Sequence, residues 1–224
     1  MGTVPGMEEA EVTTQDSTVE EWTSALAEST GSPGGGAGTG LMLAVAASLT
    51  SMVAGYSGNG EDDGGEPAGI RARARVLRRE ALKLADDDAS ASKAFGAAFR
   101  LEPGPERDEA IRRASLEAAA SSAVLGERAI QAIDDLAWLA TNGNRALVAD
   151  VVVAFGALRA AVAGARTNVS FDLGSLRSAG ATLEQVRQQQ PDLWAAVEKL
   201  SEAMDRIDTL TADIDHRAAP TDAA

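Results

Sequence analysis

The chain has 224 residues, a net charge of −14, no cysteine and one histidine. It is long enough to bury a real core, but disulfides, thiol nucleophiles and thiolate metal sites are excluded, and the acidic balance argues against nucleic acid or an anionic membrane as partner. Aromatics are only 4% and alanine and leucine recur without alternating β-branched runs, so the expected fold class is all-α, a single-domain helical bundle with long helices.

Residues 1–16 are acidic and aperiodic and read as a disordered tail, as do residues 218–224; the helical domain is expected over 17–217. Ser17 and Glu20 stand at capping-box spacing, and Val19, Trp22 and Leu26 share a face, which predicts a short helix ending near Gly31. Pro33, Gly34, Gly35 and Gly36 then open into an apolar run from Leu41 to Tyr56. A helix with no polar face must be buried. Its bulky stripe is Leu41, Val45, Leu49, Met52, Val53 and Tyr56, and a stripe of small residues, Gly40, Ala44, Ala47, Ser48, Ser51 and Gly55, suits a packed bundle or a dimer seam. The glycines let backbone amides approach a ligand, and the helix N-terminus behind them suits an anion; a flexible lead-in to a core helix is the plainer meaning. No Gly-Lys-Ser/Thr follows and no strand pattern precedes, so this is neither a Walker A loop nor a dinucleotide turn. The run is too short and too rich in small residues for a membrane span, and too far along the chain for a signal peptide. A cytoplasmic protein without a membrane partner is expected.

Residues 58–67 read as a flexible acidic loop, with Asp62, Asp63 and Glu66 off the spacing of an EF-hand. From Pro67 to about Arg100 a helix is predicted with the seam Ala74, Leu77, Ala81, Leu84, Ala91, Phe95 and Ala98. The same steps put Asp88 inside that seam, while Asp86 and Asp87 fall off it. A carboxylate there loses hydration and must be paired with a cation, neutralised or used in chemistry. Arg75, Arg78 and Arg79 are the cations nearby in sequence.

Pro105 starts a further helix that ends at Asn142-Gly143, with Gly126 as the candidate break. Asn144 can cap the next, whose seam is Leu147, Val151, Phe155, Leu158, Val162, Ala165 and Val169. Beside it runs a line from Asp150 to Asn168 through small residues. At ~1.5 Å of rise per residue its polar ends stand roughly 27 Å apart, too far to hold one small reacting centre within one chain. A last helical stretch begins near Thr182, is interrupted by Pro191 and resumes through Leu193, Val197, Leu200, Met204, Ile207, Leu210 and Ile214. His216 falls in its frayed end and is not expected to be catalytic.

No Ser-His-Asp set with a usable histidine remains, and no metal-ligand spacing such as HExxH, so no metal is expected. Carboxylates are the groups left for chemistry. An aspartate in an apolar seam can supply a general acid or base of raised pKa, although structural ion pairs shift a pKa as well.

Three segments, in order, carry a resemblance. Ser32 to Val53 (SPGGGAGTGLMLAVAASLTSMV) resembles the PGGG loop and Ala-rich helix of the cyclodeaminase and methenyltetrahydrofolate cyclohydrolase family. Leu84 to Leu101 (LADDDASASKAFGAAFRL) resembles its acidic helix, and Gly143 to Leu173 its Gly-Asn segment with a following Asp and a later Asn-Val. The resemblance implies a helical homodimer that binds a reduced folate in a groove beginning at Pro33, Gly34, Gly35 and Gly36, with Asp88 and Asp86 as catalytic aspartates and Asn144, Asp150 and Asn168 on polar, substrate-binding positions. No tightly bound cofactor is implied; a tetrahydrofolate derivative is the substrate. The implied reaction is hydrolysis of 5,10-methenyltetrahydrofolate to the 10-formyl form, an aspartate taking a proton from water. The alternatives are cyclodeamination of formiminotetrahydrofolate with ammonia release, or a diverged helical folate-binding or scaffold protein. Three departures from the pattern stand out: GNGEDDGG where the family is basic, Ser92 in place of an aromatic, and Asp172 in place of a second Asn.

Overall fold

The computed structural model describes residues 12–29, 32–58, 65–178 and 181–218. Among them there is no strand. The helices are α1 (Val19–Ala27), α2 (Gly35–Ser57), α3 (Glu66–Phe99), α4 (Pro105–Gln131), α5 (Ile133–Asn142), α6 (Val148–Ser178), α7 (Leu183–Gln189) and α8 (Pro191–Ala218), with a 3-10 turn at Arg145–Leu147 before α6. The expected first cap moves by one residue: Thr18, not Ser17, forms a capping box, with Glu21. Both tails and the acidic loop fall largely outside the described residues.

The bundle is organised around α2 and α6, which pack on each other; α3 lies along α2, α4 pairs with α6 and α3, and α8 closes the far side of α6. The expected α6 seam holds: Val151, Phe155, Leu158, Val162, Ala165 and Val169 are all buried. Small residues set the spacing. A Cβ on Gly40 would stand 2.7 Å from Ala85 Cβ and 3.0 Å from the Ala81 carbonyl, and one on Gly164 would overlap the Thr39 side chain. Large side chains would push these helices apart.

Two expectations change. Gly126 is not a break: it is buried within α4, where a Cβ would come 2.6 Å from Leu200 Cδ2 and 3.1 Å from Ala165 Cβ. The chain turns instead at Ala132, between α4 and α5. The bulky stripe of α2 is also less covered than a helix without a polar face demands. Val45, Met52 and Tyr56 of that stripe are 40%, 37% and 67% exposed, as is Met42 beside it at 40%, while of the small residues Gly40, Ala44 and Ala47 pack inward and Ser48 and Gly55 stay exposed. Helices α2 and α6 are long and apolar enough to cross a membrane, but both serve as central helices of the bundle.

Candidate active site

Four helices converge on an open cleft of about 340 Å³. From α2 come Gly35 and Gly36, from α3 Asp88, Ser92 and Phe95, from α4 Ser122, and from α6 Asn168, Phe171 and Asp172. Gly34 is the N-cap of α2 and stays extended, so the helix begins with glycines facing the cleft. Pro33, joined to Ser32 by a cis peptide bond, is buried just behind them.

The central contact is between Gly36 and Asp88. A Cβ on Gly36 would coincide with the Asp88 carboxylate, so the aspartate occupies the space that only glycine leaves. The N–H of Ala37, one of the first amides of α2 without an intrahelical partner, donates to that carboxylate, and the Ser92 hydroxyl donates as well. Both favour its charged form. Burial opposes them and is the larger effect, raising the Asp88 pKa above the ordinary carboxylate value. Its Oδ2 is buried with no hydrogen-bond partner. Among the alternatives for a seam aspartate, pairing with the nearby arginines does not occur. Arg75, Arg78 and Arg79 line a separate groove of about 620 Å³ with Ser48, Ser51 and Tyr56.

Asp172 shares the cleft. Its carboxyl is pushed up to about 6, first by burial and then by the negative charge of Asp88. Two carboxyls that raise one another's charge cost in one site titrate as a coupled pair.

The remaining expected residues are not brought together. Asp86, two positions from Asp88, is turned away: it accepts from the Thr14 backbone N–H at 2.5 Å and from the Gln15 side-chain amide at 2.9 Å, anchoring the N-terminal segment on α3. Asn144 caps the 3-10 turn through Ala146 N–H at 3.0 Å and ties it to α2 by donating to the Tyr56 carbonyl at 3.3 Å. Asp150 sits in the first turn of α6, the end opposite Asn168. The separation of roughly 27 Å expected along a straight helix stands, and only Asn168 reaches the cleft. The sequence reading did not give Ser92 and Asp172 roles, although each lies four residues, one helical turn, beyond a residue it had singled out, Asp88 and Asn168. Both face the same cleft.

Fold and cleft define an all-helical protein with an acidic cleft at a glycine-rich helix N-terminus. A sequence model of the formiminotransferase-cyclodeaminase family matches residues 18–192, and the chain belongs to that family. The crystal structure of formiminotetrahydrofolate cyclodeaminase from Thermotoga maritima is similar in fold, with a TM-score of 0.74 and 20% sequence identity over 89% of this chain and 96% of that one. No curated protein matches the chain in sequence.

Proposed function

We propose that the cleft carries a one-carbon reaction on a reduced folate, with cyclodeamination of formiminotetrahydrofolate, releasing ammonia and forming the methenyl bridge, as the leading reaction. The observation that carries this reading is the Asp88 carboxylate, held against Gly36 by the α2 N-terminus with Oδ2 buried and unpartnered. A carboxylate so placed can take a proton from the substrate and its charge favours a cationic amidine. The family and the activity named for the similar structure support cyclodeamination over the hydrolysis implied by the sequence resemblance alone. Hydrolysis of the methenyl form needs the same carboxylate and remains the second reaction to measure.

In this reading Gly35, Gly36 and Asn168 line the substrate, Phe95 and Phe171 offer flat apolar faces to its ring, and a cleft of about 340 Å³ lies in the ~300–1,000 Å³ range of small-molecule sites. A cytoplasmic setting goes with it. The exposed strip of Met42, Val45, Met52 and Tyr56 on α2 is the surface that a homodimer would cover.

The test is a spectrophotometric assay of the purified protein with each substrate. Appearance of the methenyl chromophore from formiminotetrahydrofolate, together with ammonia, supports the reading; decay of methenyltetrahydrofolate alone moves it to hydrolysis. Absence of turnover and of binding with either folate removes it.

A further inference from the structure

The cleft holds a second carboxylate that the chemistry assigned to Asp88 leaves unused. Asp172 lies one helical turn beyond Asn168 on α6, on the same wall of the cleft. Asp88 has a backbone N–H and a hydroxyl donating to it, which stabilise its charge; the forces on Asp172 are burial and the negative charge of Asp88. The other walls bring no compensating charge: Gly35 and Gly36 from α2, Ser92 and Phe95 from α3, Ser122 from α4 and Asn168 from α6 are all neutral. Two carboxyls with unequal surroundings divide the acid and base roles between them.

Resting on the folate reading above, we propose that Asp172 is the proton donor of this cleft, delivering a proton to the departing nitrogen, while Asp88 starts as the anion beside the one-carbon unit and serves as the base. N10 of the folate adds to the amidinium carbon of the formimino group, forming the N10–C bond and moving the C=N pair onto the exocyclic nitrogen. The N10 proton passes to Asp88. Asp172 gives its proton to the exocyclic nitrogen, the C–N bond breaks with its electron pair, and ammonia leaves as N5 and N10 come to share the positive charge of the methenyl bridge. Return of the proton from Asp88 to Asp172 restores both groups. Nothing is oxidised or reduced. An amide in its place could not supply that proton, so the carboxyl of Asp172 is what gives this cleft a dedicated acid.

The experiment compares wild type, Asp172→Asn and Asp172→Glu in ammonia release across pH, with binding of an unreactive 5-formyl folate measured in parallel and the carboxyl of Asp172 followed by carbon NMR. Expected are a loss of about 10²–10⁴-fold in kcat for Asp172→Asn with analogue affinity retained, and partial rescue by Asp172→Glu. The wild-type decline of kcat above about pH 6 should vanish in the Asn variant, because the group that must be protonated is gone. The Asp172 titration should also move down in Asp88→Asn, where the like charge is gone. An Asp172→Asn enzyme with wild-type kcat and an unchanged pH profile overturns the role of Asp172 and leaves the folate reading in place. A wild type that turns over neither folate overturns that reading and this role with it.

Discussion

Removing the Asp172 charge should stabilise the protein, and only in a defined pH range. Its carboxyl rises from 3.8 to about 6 on folding. At about 1.4 kcal/mol per unit this corresponds to about 3 kcal/mol, which solvent screening of a half-buried group reduces to roughly 1–2 kcal/mol. The folded state holds the proton more tightly than the unfolded one. The favourable contribution is therefore fully present below pH ~4, where both states are protonated, and is lost as pH rises through about 6. Asp172→Asn is nearly isosteric and carries no charge. It should match wild type near pH 3 and gain stability by pH 8, a Tm increase of roughly 2–8 °C for a chain of this size. Thermal unfolding followed by circular dichroism at the two pH values measures this. An equal Tm difference at both, or a less stable variant at pH 8, would refute the claim that burial and Asp88 load strain onto Asp172.

Two further variants probe the site and the assembly. Gly36→Ala should evict the Asp88 carboxylate and lower turnover by at least ~10²-fold, while Gly38→Ala, whose added Cβ meets nothing within 4 Å, should keep activity and gain roughly 0.5–1 kcal/mol from helix propensity; steady-state kinetics and chemical denaturation separate the pair. Met52→Glu places a charge on the exposed strip of α2 and should shift sedimentation from dimer to monomer without loss of helix, whereas a wild type already monomeric at micromolar concentration would contradict the proposed seam.

Much of this architecture is written in periodicity. The steps of three and four along α6 locate its buried face from Val151 to Val169, and the same counting along α3 places Asp88 on the side that meets α2. What the pattern could not supply is which neighbour fills a given space. Gly126 looks like a helix breaker in one dimension, yet it is the gap that Leu200 of α8 enters. The apolar surface of α2 says that something must cover it, but not whether that something lies in the same chain. Asp86 and Asp88 are chemically alike and two residues apart; a rotation of roughly 200° around the helix sends one to Thr14 and Gln15 and the other to Gly36. Asn144 is polar because a 3-10 turn needs a cap, a local demand that sequence alone does not distinguish from a ligand contact. Asp172 stands out in the sequence only through the resemblance, and its neighbours appear only once α6 and α3 face each other across the cleft.

The central claim is that the Asp88 carboxylate performs the one-carbon chemistry, and substitution of that carboxylate tests it most directly. In Asp88→Asn the amide still fits the space opposite Gly36, so the account predicts unchanged helicity, retained binding of 5-formyl folate, and a fall in methenyl formation of about 10²-fold or more. A folded Asp88→Asn protein that forms the methenyl product at the wild-type rate would contradict it.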